Sequence, residues 1–143
     1  MKQPQALKRL EKLIGKWTIS GRSLNAKEDD IKGTATFEWI LDGFFLLNKG
    51  EMQTGDIKIQ SWSIIGYDSE TDTFPEMVYG NMGSVALSYH WQIKGNEVTH
   101  WTKGSKYTGK FSKGGKLLDG GWRADGAKIS PVNTYDATMH KIE

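Results

Sequence analysis

Two titratable side chains, Glu76 and His100, offer the clearest chemistry in this sequence. A carboxylate or an imidazole held inside a protein can anchor a ligand hydroxyl or amine, or accept a proton from a bound substrate. The chain has no Gly-x-x-x-x-Gly-Lys-Ser/Thr loop, no Gly-x-Gly-x-x-Gly turn and no Gly-x-Ser-x-Gly elbow. Any site that uses Glu76 or His100 must therefore be built by the fold rather than by a local motif.

Metal chemistry has little support in the sequence. The three histidines, His90, His100 and His140, are scattered, and the strand register derived below turns His90 and His100 to opposite faces. A zinc site needs three or four ligands that converge on one point. We therefore expect no protein-ligated metal and no cofactor.

The composition excludes several other classes. There is no cysteine, which rules out disulfides and thiolate chemistry. The formal net charge of +2, with acids and bases interspersed, is too small to favour nucleic acid or an anionic membrane as a partner. Residues 1–5 lack the apolar region of a signal peptide, and no apolar run approaches the roughly 20 residues of a membrane span. We therefore predict a cytoplasmic protein with neither nucleic-acid nor membrane partners.

Short apolar runs separated by glycine-rich turns predict an all-β fold. The runs recur at the spacing of about 8–12 residues that is typical of a sandwich or barrel. Between the turns, apolar and polar residues alternate as expected for strands with one buried face. The predicted strands are 17–23, 34–41, 44–53, 57–67, 73–80, 85–94, 97–103, 106–112, 116–123 and 132–140.

One helix is predicted, at about residues 4–13. Leu7, Leu10 and Ile14 recur at helical spacing and so form one apolar face. Gly15 suits the position just after a helix C-terminus. A helix this short, placed directly before the first strand, is expected to close one end of a barrel.

The turns predict which residues face one another. A two-residue turn pairs the residues on either side of it, and each step away from the turn alternates between the two faces of the sheet. Asp-Gly between apolar runs is among the strongest hairpin signals. The predicted pairs are Trp39 with Leu46 across Asp42-Gly43, Asn48 with Ser63 across Gly55-Asp56, Glu76 with Tyr89 across Met82-Gly83, Trp91 with His100 across Gly95-Asn96, Thr102 with Tyr107 across Gly104-Ser105, and Tyr107 with Trp122 across Gly114-Gly115.

These pairs agree on one inward-facing belt. Aromatic and small polar residues alternate along it, which favours a barrel with a cavity over a dry core. We predict a single domain over 1–143, with the helix at about 4–13 and an up-and-down antiparallel barrel of about ten strands at about 17–140. The belt consists of Trp39, Leu46, Ile65, Glu76, Tyr89, Thr102, Tyr107 and Trp122.

Several short motifs, in order along the chain, resemble a known family. They are Gly15-x-Trp17, Leu41-Asp42-Gly43-Phe44, Ile65-Gly66-Tyr67-Asp68, Asn81-x-Gly83 and Asp125-Gly126. The chain is similar to an uncharacterised bacterial lipocalin-like family of the calycin superfamily, number fifteen seventy-nine among domains of unknown function. The resemblance implies a calycin barrel of roughly ten strands, an N-terminal helix and a small-molecule cavity, and it implies no catalytic residue. Gly120-Gly121, before Trp122, departs from the family pattern.

The first functional hypothesis is the binding of a small apolar or amphipathic molecule inside the barrel. Inward residues with small side chains, such as Ser61, Gly109 and Gly120, leave volume for it. The proposed apolar wall is Trp39, Tyr107 and Trp122, and the proposed polar anchors are Asn48, Ser63, Glu76, Tyr89 and His100.

Three alternatives stay open. The same barrel could be an enzyme, such as an isomerase or cyclase, with Glu76 or His100 as acid or base. His100 could ligate haem, as in the related nitrobindin barrels. The aromatic side chains could also fill the interior completely, which would leave a structural or interaction module.

A homodimer is predicted from the outer face. The register that turns Trp39 inward turns apolar residues of adjacent strands outward, where they form one contiguous patch. Its residues are Ile40, Phe45, Leu47, Trp62, Ile64, Met77 and Tyr79.

Overall fold

The computed structural model describes residues 2–143 and shows a closed barrel of ten antiparallel strands. Each strand pairs with the next along the chain, and β1 pairs with β10 to close the barrel, so no strand edge is left open. The predicted all-β, up-and-down fold is therefore confirmed. The strands are β1 Gly15–Ser23, β2 Ile31–Ile40, β3 Phe45–Thr54, β4 Ile57–Ile65, β5 Phe74–Gly80, β6 Leu87–Lys94, β7 Glu97–Thr102, β8 Gly104–Ser112, β9 Leu117–Asp125 and β10 Tyr135–Lys141.

The N-terminal helix, Gln5–Leu13, has 3-10 geometry. Its buried residues are Leu7, Leu10 and Leu13, a spacing of three that matches the three residues per turn of a 3-10 helix. The sequence predicted Ile14 on the apolar face, but the helix ends at Leu13, and Ile14, in an extended conformation, is only half-buried. The helix end of the barrel is thus sealed by leucines.

Trp17 completes that seal. Its side chain has no exposed surface, and its indole Nε1 donates a hydrogen bond to the carbonyl of Leu13 at 2.8 Å. The ring lies 6.4 Å, centroid to centroid, from that of Phe111. This end is the closed end of the barrel, and the opposite end is the open end.

Most of the predicted register is confirmed. The long loop before β5 keeps the expected Asp68–Thr73 bridge, so Glu76 lies opposite Ile65 and faces inward. The other confirmed pairs are Trp39 with Leu46, Asn48 with Ser63, Glu76 with Tyr89, Trp91 with His100, and Tyr107 with Trp122.

The β7–β8 hairpin was predicted wrongly. Thr102 pairs with Ser105, which makes Lys103-Gly104 the turn, and Tyr107 pairs with His100 rather than with Thr102. Gly104, the second residue of this turn, has φ +87°, a backbone conformation that glycine adopts at no steric cost. Because the shift is two residues, every side chain keeps its face. The correction brings Tyr107 beside His100.

The Asp42-Gly43 turn is longer than predicted. Ile40 pairs with Phe45, so four residues form the loop, and Leu41, Asp42 and Gly43 all have positive φ. The residue pairing is the one that the two-residue turn predicted. The extra length therefore changes the turn but not the register of β2 and β3.

Candidate functional site

A cavity of about 220 Å³ lies inside the barrel, from its middle toward the open end. The closed half is filled by large buried side chains, including Trp17, Phe74 and Phe111. Smaller residues such as Ala35 and Ala137 line the rest, so the interior is not completely filled. Aromatic side chains also line it, among them Phe37, Trp91, Trp122 and Tyr135.

The structure brings most of the predicted site residues to this cavity. Those that line it are Asn48, Ser63, Glu76, Tyr89, His100, Tyr107 and Trp122.

Trp39 does not line the cavity. On β2, Ala35 and Phe37 face it, and Trp39 lies two residues closer to the closed end. There it is half-buried and packs against the core. Its face was predicted correctly, but its height along the barrel puts it in the packed half.

Glu76 is the most deeply embedded charged side chain near the cavity, with 2% of its surface exposed. Its Oε2 accepts a hydrogen bond from Ser63 Oγ at 2.6 Å. Its Oε1 accepts one from Trp91 Nε1 at 3.0 Å and lies 2.7 Å from His100 Nε2. Since both oxygens have partners, the carboxylate is fixed in one orientation and its burial is compensated.

The strand register explains how these groups meet. Glu76 pairs with Tyr89 on β6, and Trp91 is the next inward residue on that strand. His100 on β7 pairs directly with Trp91. Inward residues on three neighbouring strands thus converge on one carboxylate.

His100 is held on two sides. Its ring stacks on that of Trp91, with centroids 3.7 Å apart and planes 14° apart. Its Nε2 meets the Glu76 carboxylate, which assigns the proton of the neutral ring to Nε2. Its Nδ1 has no hydrogen-bond partner among residues 2–143, and the side chain lines the cavity. Nδ1 is therefore the lone-pair atom that a molecule in the cavity can meet.

Two buried polar atoms in the cavity wall have no hydrogen-bond partner within residues 2–143. They are Oδ1 of Asn48 and the phenol Oη of Tyr107. Leaving a buried polar atom unpaired costs about 1–3 kcal/mol. Burial also raises the pKa of Tyr107 well above its usual value, so the phenol stays a protonated donor. Neither atom therefore has its hydrogen-bonding capacity satisfied by the described residues.

Gly109 sets the position of the Tyr107 phenol. A Cβ atom at position 109 would lie 2.6 Å from both Oη and Cε1 of Tyr107. The phenol therefore occupies the space that Gly109 leaves. The sequence identified Gly109 as a source of volume, but Tyr107 takes up that volume.

The geometry does not suit haem ligated by His100. Its Nε2 is engaged by Glu76, and one face of the ring is covered by Trp91. The cavity of about 220 Å³ is also below the roughly 300 Å³ at which pockets for drug-sized ligands begin. Within residues 2–143, no three His, Asp or Glu side chains converge as a metal site.

A comparison with protein families decides the classification. The model of a family described as "Protein of unknown function (DUF1579)" matches residues 3–136. The chain belongs to the DUF1579 family. This confirms the family resemblance in the sequence, and the DUF1579 description assigns no residue a role.

Comparison with individual proteins adds the fold alone. No curated protein matches the chain. The crystal structure of Rv2717c from M. tuberculosis is similar, with a TM-score of 0.64 and 9% identity, over 99% of this chain and 100% of that one. Such low identity transfers a fold and not an activity. No helix within residues 2–143 is long and apolar enough to cross a membrane.

Proposed function

We propose that this barrel binds a small, mostly apolar molecule that carries an oxygen or nitrogen substituent. The observation that carries the proposal is the cavity of about 220 Å³, whose mostly apolar wall carries polar side chains including Asn48, Ser63, Glu76, Tyr89 and His100. Ligand pockets typically combine apolar walls with a few such polar groups. The half-buried Tyr89 supplies a hydroxyl donor, and Nδ1 of His100 supplies an acceptor.

The cavity volume limits the size of the ligand. An apolar cavity of about 150 Å³ accommodates benzene. The present cavity, at about 220 Å³, suits one ring with short substituents. Larger lipids would have to extend through the open end.

The binding test uses benzene, phenol and cyclohexanone as probes. Thermal unfolding and proton NMR titration should show that phenol and cyclohexanone bind and raise the melting temperature, and that benzene binds more weakly. A ligand at 100 times its Kd stabilises the folded state by about 2.7 kcal/mol. Tyr89→Phe should weaken the binding of phenol and cyclohexanone, whereas Tyr67→Phe, outside the cavity lining, should not. No shift with any probe would contradict the proposal.

The fold also supports one broader assignment. The closed ten-stranded meander with its N-terminal helix supports placing the family among the calycin barrels. The cytoplasmic location stays a prediction from the sequence.

We also propose that the protein forms a homodimer through the outer face of β3, β4 and β5. The register places Leu47, Ile64 and Met77 in one row and Lys49, Trp62 and Tyr79 in the next. A closed barrel has no free strand edge, so a second copy must pack face to face. Ile40 and Leu47 are half-buried. The exposed residues of the patch are Phe45, Trp62, Ile64, Met77 and Tyr79, each with 38% to 57% of its surface exposed.

The size of the patch is consistent with part of a two-fold interface. Five such side chains supply on the order of half of the roughly 800 Å² per partner in a stable interface. Light scattering at micromolar and higher concentrations should give a dimer mass, and Trp62→Glu should give a monomer. Lys110→Glu, on the outer face of β8, is the matched control. A monomer mass for the unsubstituted protein would contradict the dimer.

A further inference from the structure

We propose that the cavity selects a phenol, whose hydroxyl group donates a hydrogen bond to Nδ1 of His100. The inference rests on the proposed binding function and names the chemical class of the ligand at that site. It requires one polar contact between ligand and protein. The aromatic ring of the ligand occupies the apolar part of the cavity of about 220 Å³.

Nδ1 of His100 is open to a bound molecule. The side chain lines the cavity, and 14% of its surface is exposed. Nδ1 has no hydrogen-bond partner among residues 2–143, yet it is not one of the unpartnered polar atoms that are fully buried, which belong to Asn48 and Tyr107. Because the side chain points into the barrel, the accessible surface of Nδ1 lies on the cavity side.

Glu76 makes Nδ1 a stronger acceptor. Its Oε1 lies 2.7 Å from Nε2, so the proton of the neutral ring lies on Nε2 and the lone pair on Nδ1. A carboxylate that accepts from one imidazole nitrogen also raises the basicity of the other. Ser63 and Trp91 donate to the same carboxylate and hold it in place. Glu76 is therefore a positioning residue, since it acts on the ligand only through His100.

The ring of His100 is held in one plane beside aromatic side chains. Trp91 stacks on it with centroids 3.7 Å apart, which covers one face. The rings of Tyr89 and Trp122 lie 5.2 Å and 5.1 Å from it, and both residues line the cavity. A flat ring whose substituent meets Nδ1 therefore lies near aromatic side chains, and aromatic pairs attract each other beyond the burial of apolar area.

These features together favour a phenol over other small molecules of similar size. A lone pair requires a donor, which a ketone or an ether lacks. A carboxylate or an ammonium group would carry a full charge into a mostly apolar cavity. A phenol is neutral at about pH 7 because it ionises near pH 10, and its hydroxyl is a more acidic donor than that of an alcohol.

The test compares ligands that differ in the hydroxyl group or in its acidity. The four probes are toluene, 4-methylphenol, chlorobenzene and 4-chlorophenol, with Kd values from proton NMR titration at neutral pH. Chlorine and a methyl group are nearly equal in size, whereas chlorine makes the phenol more acidic. 4-Methylphenol should bind about threefold to tenfold more tightly than toluene, the gain from one net hydrogen bond. The gain of 4-chlorophenol over chlorobenzene should be larger by about twofold.

Three variants assign this preference to His100. His100→Phe keeps a ring against Trp91 but removes the acceptor, so the hydroxyl group should no longer favour binding. Glu76→Gln replaces the carboxylate with a neutral amide, so it should remove the extra gain of 4-chlorophenol. A merely structural role of Glu76 would change the affinities for all four probes alike. His140→Gln, which changes an exposed histidine, is the matched control and should leave every ratio unchanged.

A second measurement needs no variant. Nitrogen NMR of an imidazole distinguishes a protonated nitrogen from one with a free lone pair. In the free protein, the Nδ1 resonance of His100 should be that of a nitrogen with a free lone pair. Saturation with 4-chlorophenol should move this resonance toward the protonated position, further than 4-methylphenol does, and toluene should leave it in place.

The two proposals fail in different ways. Equal gains from the hydroxyl group in the unsubstituted protein and in His100→Phe overturn the phenol assignment. An Nδ1 resonance that 4-chlorophenol does not move overturns it as well. Binding of phenol and cyclohexanone under either of those results leaves the proposed binding function standing. Failure of every probe to bind removes both.

Discussion

Oε1 of Glu76 lies 2.7 Å from Nε2 of His100, across 24 residues of sequence and two strand pairings. The same oxygen accepts the indole proton of Trp91, and the other oxygen accepts from Ser63. One buried carboxylate therefore links β4, β5, β6 and β7. Its loss should affect stability as well as any chemistry in the cavity.

Glu76→Ala should lower the free energy of unfolding by about 3–5 kcal/mol, because it leaves buried donors without an acceptor. Urea denaturation measures the change. Glu38→Ala, on the exposed face of β2, is the matched control and should stay within about 0.5 kcal/mol. A loss below about 1 kcal/mol for Glu76→Ala would show that water replaces the carboxylate at no great cost.

Trp17→Ala should destabilise the protein by about 3–5 kcal/mol, as expected for the truncation of a fully buried tryptophan. The loss includes the hydrogen bond from Nε1 to Leu13 and the packing on Phe111. Trp101→Ala, on the outer face of β7 beside Lys106, is the control. Equal melting temperatures for the two variants would contradict the role of Trp17 in closing the barrel.

Gly109→Ala should cost about 1–3 kcal/mol, because the new methyl group would overlap the Tyr107 phenol at 2.6 Å. The cost should shrink in a Tyr107→Leu background, which removes the overlapping atoms. Gly83→Ala, where nothing lies within 4 Å of a new Cβ, is the control. Additive effects of Gly109→Ala and Tyr107→Leu in a double-mutant cycle would rule out this contact.

Stability should fall at alkaline pH because of the cavity tyrosines. Burial raises the pKa of Tyr135 to about 12, and it raises that of Tyr107 further. The folded state therefore keeps protons that the unfolded state releases near pH 10, so unfolding becomes easier as the pH rises above about 10.

The slope for Tyr135 should be at most about 1.4 kcal/mol per pH unit between about pH 10 and 12. Urea midpoints across this range measure it. Tyr135→Phe should reduce the slope. A slope unchanged in Tyr135→Phe would mean that its phenol ionises in the folded state as freely as in the unfolded chain.

The sequence determined the strands and the faces. Turn residues and two-residue alternation are local signals, and they were enough to place Glu76, His100 and Tyr107 on one inner surface. Even the misplaced β7–β8 turn preserved that surface, because the error was two residues. Inward orientation was therefore predictable before any contact was known.

Contacts and volumes were decided only by the tertiary structure. The bonds from Ser63, Trp91 and His100 to one carboxylate depend on rotamers, which are selected by packing among four strands. Whether Gly109 leaves open space depended on where the Tyr107 ring lies. Trp39 shares the inner face, but it falls in the packed half because the N-terminal helix closes that end. Alternation specifies the face of a side chain, whereas non-local packing specifies what the side chain meets there.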